Sequence, residues 1–390
     1  MVARGAAAVG SLALGSLAQL AAPLTALLTL GARPFGQFSV VYLLFAWGLS
    51  LQLSICSEPF VRHRIEHGTT EEQRRGFRAA SATVGATLGV IAGSVAAAMW
   101  SWGLAVVTVV AVAGTIVRIG SRYQAVVERG LRAAARGDAL FVLGFATTLA
   151  LGRGHVGGTS LVLLAWAVGA VASVVLGSGV PVPRPRLVRR WVRTHSASIR
   201  PLLKDSLVLD TSAIGGAYLL LPLLSVQEFG VYRAVSNVAT PARLVTDAVR
   251  PLIGRPMSHR RQRLMLAGVL ALGAAATVVA TLALLAVDRA DLDLGVVNDL
   301  APYAVQTGVF VGASVVGAIF YFRARAHGTS RQLWRGRLLQ SGSALAGPLL
   351  GAATAGLTGA ITGTAIAAAF GAAVWWLLAH RSLPDPGSVG

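Results

Sequence analysis

From Arg4 to Arg381 one pattern recurs: a run of about twenty apolar residues, then a short stretch carrying arginines. Twenty apolar residues are what an α-helix needs to cross the hydrocarbon core of a bilayer. No water is available inside a bilayer to satisfy backbone amides, so a spanning chain must be either helical or a closed barrel. Barrel strands are short and alternate in polarity, whereas these runs are long and rich in Ala, Leu, Val and Gly. The chain therefore reads as an all-α polytopic membrane protein.

Twelve segments fit, near 5–31, 37–57, 79–99, 102–118, 138–152, 158–179, 206–226, 230–253, 265–287, 300–321, 338–356 and 358–380. The fifth is the shortest. Basic residues test this placement, because loops on the cytoplasmic side carry the Lys/Arg excess. Twenty-nine of the 34 Lys and Arg fall in the loops after even-numbered segments or at the two termini. Loops after odd-numbered segments hold only Arg33, Arg153 and Arg289, the last among Asp288, Asp291, Asp293 and Asp299. This predicts a cytoplasmic-membrane protein with both termini in the cytoplasm. The net charge of +19 lies between the apolar runs and does not point to nucleic acid. Residues 1–31 carry Arg4 ahead of a long apolar run with no convincing cleavage site, and read as a retained first helix. The lone Cys56 permits no internal disulfide and no cysteine cage.

The stretch Pro181 to Asp205 joins proline punctuation to a dense basic run. It divides the chain into an N-terminal six-helix lobe (1–180), a basic linker (181–205), a C-terminal lobe (206–381) and a tail (382–390). A weak repeat supports the division. RPFGQFSVVY (Arg33 to Tyr42) is similar to QEFGVYRAVS (Gln227 to Ser236) when Phe35-Gly36 is laid on Phe229-Gly230, and EPFVRHR is similar to RPLIGRP further on. Transporters are often built from such repeats.

The eighth segment is charged. At 100° per residue, Arg233, Ser236, Asn237, Thr240, Arg243, Asp247 and Arg250 share one face. Charges inside a membrane normally face a protein interior or a wet cavity. Asp247 is spaced to pair with Arg243 and Arg250, yet three arginines against one aspartate leave surplus positive charge. Guanidinium grips phosphate bidentately, so an anionic cargo is expected on Arg233, Asn237, Arg243, Asp247 and Arg250. Asp210, in the seventh segment, and Glu58, before Pro59, are candidates for an ion pair or a coupling site. The GxGxxG of Leu151 to Gly158 joins two spans and lacks the strand–turn–helix setting of a nucleotide loop. His63 and His67 lie in a basic loop with no third ligand in view, and read as a solvated face near anionic headgroups. With no Walker motif, zinc signature or nucleophile elbow, neither an enzyme nor a cofactor or metal is expected.

FGQFSVVYLLFAWGLSLQLSICSEPFVRHR, from Phe35 to Arg64, resembles the start of polysaccharide flippases of the multidrug/oligosaccharidyl-lipid/polysaccharide exporter superfamily. The resemblance rests on the Phe-Gly-x-aromatic turn and the Glu-Pro-hydrophobic-x-Arg ending. It implies two six-helix lobes around a central cavity that opens alternately inward and outward. The implied cargo is a polyprenyl-diphosphate-linked glycan for surface polysaccharide biosynthesis, with membrane lipid and other polysaccharide-assembly membrane proteins as candidate partners. The first helix has Gln19 where lipid II flippases are expected to carry arginines, which favours a capsular or other surface polysaccharide. Two alternatives stand beside this reading. A drug/cation antiporter of the same superfamily would use Asp210 and Glu58, and a membrane-embedded glycosyltransferase or ligase would use the aspartates of Val287 to Asp299.

Overall fold

A computed structural model describes residues 2–68, 70–177, 179–240, 259–327 and 329–381. The expected all-α fold is present, and all regular structure among these residues is helical. The helices are α1 (Val2–Thr29), α2 (Ala32–Gln52), α3 (Glu58–His67), α4 (Glu71–Met99), α5 (Trp102–Arg129), α6 (Leu131–Gly152) and α7 (Gly158–Gly177). Then come α8 (Pro185–Asp210), α9 (Gly216–Leu220), α10 (Val226–Val238), α11 (His259–Arg289), α12 (Ala304–His327) and α13 (Ser330–Arg381). Among the described residues eight helical stretches are long and apolar enough to cross a bilayer, and Ala13–Thr29 is a shorter apolar one. One of the eight, in α13, has two arms, broken where Ala355 and Gly356 leave helical backbone angles. Leu151, Leu176, Val279, Leu350 and Ile366 are mostly exposed, as residues that meet lipid should be.

Several segment limits read from hydropathy need correction. The fourth segment does not stop at 118, nor does the fifth start at 138: α5 runs to Arg129 and α6 begins at Leu131, with Gly130 at φ 86° as the whole connection. The arginines of 118–136 therefore sit on helices rather than in a loop. Charges lower a hydropathy average without breaking a helix, so the window ended where the chain did not. Elsewhere the connections are short and capped. Thr70 with Gln73, Ser225 with Glu228 and Thr329 with Gln332 each exchange side-chain and backbone hydrogen bonds at a helix start. The seventh segment is not one helix. It passes from α8 through a π turn at Thr211–Gly215 to the short α9 and a turn before Ser225.

Two compact units emerge, Met1–Ala26 with Gln37–Asp210, and Leu27–Gly36 with Thr211–Gly390. In the first, Phe38, Tyr42 and Phe45 of α2 surround Trp166 of α7 at ring distances of 6.1, 6.0 and 5.2 Å. The Trp166 indole donates to Thr115 Oγ1 at 2.8 Å, so this large side chain is buried with its polar atom satisfied. Helix α8, drawn from the basic stretch after Pro181, lies against α3 and α4. Its Trp191 and Ile199 join Cys56, Phe60, Phe77 and Ala80 in one cluster. The Trp191 indole also donates to the Ile55 carbonyl at 2.9 Å, within the π turn Leu53–Ser57 that follows α2. Such turns displace backbone carbonyls from the regular ladder, and here a side chain from a distant helix takes one up.

The second unit contains the start of α2. A Cβ on Gly36 would collide with the Val226 carbonyl, and one on Gly230 with the Ala32 carbonyl. Each collision partner lies four residues before the opposite glycine. The contact is therefore reciprocal between the Phe-Gly pairs that the sequence repeat equates, and Phe35 and Phe229 are both buried beside it. The arms of α13 pack as closely, with Gly351 against the Gly359 carbonyl and Gly347 against Gly363. The core of this unit is Val269, Val315, Ile319, Phe320 and Trp375.

Candidate functional site

The charge stripe is described over its first turns. Arg233 and Asn237 stand one turn apart on α10 and are half-buried. Arg233 lies within electrostatic reach of the Tyr218 and Tyr232 phenols. Tyr232 is buried and accepts a 3.5 Å contact from the Thr364 hydroxyl. Arg243, Asp247 and Arg250 lie outside the described residues. Asp210, at the end of α8, is hydrogen-bonded to Ser50 of α2, and its Oδ2 is buried with no further hydrogen-bond partner among the described residues. Glu58 is exposed where the π turn Leu53–Ser57 passes without a break into α3. Asp210 and Glu58 belong to the first unit, and Arg233 and Asn237 to the second.

The structure adds a charged cluster that the sequence reading placed in a cytoplasmic loop. Arg118 of α5 is 2% exposed, and its Nη1 donates to Asp138 Oδ1 at 2.7 Å. Arg122, one turn on, donates to the other oxygen of Asp138 at 2.8 Å. Both carboxylate oxygens are thereby used, and Asp138 is 1% exposed. Two cations face one anion. Arg118 also lies 4.5 Å over the Phe141 ring, which supplies part of the missing stabilisation. Its Nε and Nη2 have no hydrogen-bond partner among the described residues. A small cavity of about 40 Å³ touches the same guanidinium and is lined by Gln19, Tyr42, Thr115 and Trp166. The legible signal was Asp138 itself, a lone acid where α6 turns apolar, with two arginines at helical spacing just before Gly130.

The second unit has a much larger cavity, about 470 Å³, between α12 and the two arms of α13. Arg337 borders it, donating to the Tyr321 hydroxyl at 3.0 Å with its guanidinium 5.2 Å from the ring centre. Arg325 reaches the same hydroxyl at 3.3 Å. Arg323 is 5% exposed, and its Nη1 meets the Met265 sulfur at 3.4 Å. Among the described residues none of these three arginines forms an ion pair.

Solved structures share this fold. A lipid II flippase MurJ in an inward closed conformation matches over 97% of this chain and 87% of its own, with a TM-score of 0.63 and 11% identity. An inward-facing multidrug resistance MATE family transporter of the MOP superfamily matches 96% of this chain and 97% of its own, at 0.58 and 15%. The Vibrio cholerae MATE transporter VcmN in its bent form matches 98% of each chain, at 0.53 and 14%. No family model and no curated protein matches the chain. The likeness is one of fold, and it agrees with the superfamily that the Phe35 to Arg64 motif resembles.

Proposed function

We propose that this chain carries a polyprenyl-diphosphate-linked oligosaccharide across the cytoplasmic membrane by alternating access, for surface polysaccharide assembly. The observation that carries the reading is the sign of the buried charge. Arg118 and Arg122 outnumber Asp138, and Arg323 is buried without an ion pair among the described residues. A transporter of this fold that moved cations would place carboxylates in its interior. Surplus guanidinium suits a diphosphate. In this reading the diphosphate is held by Arg233, Arg243 and Arg250, with Asn237 and Asp247 orienting them, and the protein performs no bond chemistry. Both termini lie in the cytoplasm, as the distribution of arginines requires.

The test is transbilayer movement of a fluorescent polyprenyl-diphosphate oligosaccharide in proteoliposomes. Wild-type protein should move it, and Arg243→Ala should lower the rate at least tenfold with an unchanged melting temperature. Uptake of organic cations driven by a proton gradient, with no movement of several lipid-linked glycans, would overturn the reading in favour of an antiporter using Asp210 and Glu58.

A further inference from the structure

A second sequence match links the two units, five residues out of step with the Phe-Gly match. Laying Arg136-Gly137 on Arg335-Gly336, a shift of 199 residues, brings the first residue of α6, Leu131, onto the first of α13, Ser330. The same shift brings Gly157, just before α7, onto Gly356 at the break in α13. It carries Arg118 to Gly317, Arg122 to Tyr321, Asp138 to Arg337, Phe141 to Gln340 and Trp166 to Ala365, while Thr115 and Ser314 remain a hydroxyl pair. In the first unit an arginine, a phenylalanine and a tryptophan fill the space between the helices and leave about 40 Å³. In the second, Gly317 and Gln340 stand in the places of the arginine and the phenylalanine, and about 470 Å³ is open. The acid–base pair of the first unit becomes an arginine on a tyrosine.

The wall of this cavity is selective in its chemistry. Ser314, Thr364 and Gln340 offer hydroxyl and amide groups, and Phe310 and Tyr321 offer aromatic surface. Gln340 Oε1 accepts from the Trp375 indole at 2.9 Å, which fixes the amide and directs its NH₂ elsewhere. The Arg337 guanidinium keeps donors beyond the one it gives to Tyr321. No carboxylate is among the described lining residues. We propose that this cavity binds an anionic sugar unit, a pyranose bearing a carboxylate or a phosphate ester. Its oxyanion meets Arg337, its hydroxyls meet Ser314, Thr364 and Gln340, and its C–H face lies on Tyr321 or Phe310. The volume falls in the range of small-molecule sites, which mix apolar walls with a few convergent polar groups. A sugar lacking the oxyanion would leave Arg337 unanswered, and polar sites reject such analogues strongly. The proposal rests on the flippase reading in taking the sugar to be part of the transported glycan, and it makes that glycan acidic.

Trp375 touches both Gln340 and, edge-on at 4.9 Å, Tyr321, so its fluorescence reports occupancy. Full-length protein in nanodiscs is titrated with glucuronate, glucose 6-phosphate, glucose and inorganic phosphate. One or both of the charged sugars should saturate a fluorescence change at least tenfold more tightly than glucose or phosphate alone. Glucuronate alone would identify a uronate source, and glucose 6-phosphate alone a phosphate ester. Arg337→Gln should weaken binding at least tenfold and Arg337→Lys less. Gly317→Arg, which restores the residue of the first unit, should abolish binding, and a cooperative melt confirms folding of each variant. Should Arg337→Gln fail to fold, Gly317→Arg carries the test. Equal binding of glucose, equal binding of bare phosphate, or no saturation by either charged sugar overturns the proposal. Movement of lipid-linked glycan in proteoliposomes separates the two readings. Wild-type rates in both Arg337→Gln and Gly317→Arg leave the flippase standing and remove this site, whereas saturable sugar binding with no movement of any glycan leaves the site and removes the flippase.

Discussion

Asp138 neutralises two arginines from a position almost closed to solvent, and this asymmetry decides what its replacement does. Removing one partner of a buried ion pair leaves an uncompensated charge, at a cost of roughly 3–5 kcal/mol, while replacing the pair by apolar residues of similar size is often neutral. Asp138→Asn should therefore lower the melting temperature in detergent sharply. Arg118→Met and Arg122→Met together with Asp138→Leu should recover most of the loss, and a triple variant as unstable as the single one would contradict the account. Sequence reading missed this cluster because it treats charge as a boundary signal. Only the approach of α5 to α6 across Gly130 shows that the charges point inward. Arg233 and Asn237, by contrast, share a face of α10 as their spacing predicted, since helical periodicity needs no tertiary information.

Among the elements, α8 shows most clearly how a polar stretch becomes part of a core. Its arginines spread along the exposed face, while Trp191, His195 and Ile199 recur at spacing four and are buried. His195 stacks on Trp191 at 3.9 Å, donates through Nδ1 to the Trp191 carbonyl at 3.0 Å, and faces His63 at 5.2 Å. Burial pushes its pKa below the ordinary histidine value, the bond to the Trp191 carbonyl opposes this, and His63 adds to the lowering. The folded state thus binds protons less readily than the unfolded chain. The docking contribution is complete above pH about 6.5 and is lost as the pH falls through that value towards the lower folded pKa. Amide hydrogen exchange in residues 185–200, normalised for intrinsic rate, should rise between pH 7.5 and 5.5 in wild type. It should stay flat in His195→Phe. A wild type with no pH response would show that His195 keeps its ordinary pKa.

At the scale of the whole molecule, the two Phe-Gly pairs that the sequence matches are packed against each other. Gly36 and Gly230, equated by the Phe-Gly match, meet with no room for a methyl group on either side. Forcing atoms into such a contact costs on the order of 1–3 kcal/mol or more. Because Gly36→Ala and Gly230→Ala break the same contact, their effects should not add: the double variant should melt close to the worse single one. Additive losses would mean that the two glycines serve separate contacts.

Hydropathy and the placement of arginines, read along the chain alone, were enough to require a helical membrane protein with many spans. Bilayer solvation acts on every residue independently of its neighbours in space. Helical periodicity likewise put Arg233 and Asn237 on one face, and the Phe-Gly pairs exposed the repeat. What the linear sequence could not decide was which charges are buried, which connections are helical, and where one half is filled while the other is open. A shift of 199 residues sets Arg118 against Gly317, but the space beside each is enclosed by side chains from distant helices, and only the packed structure brings those together.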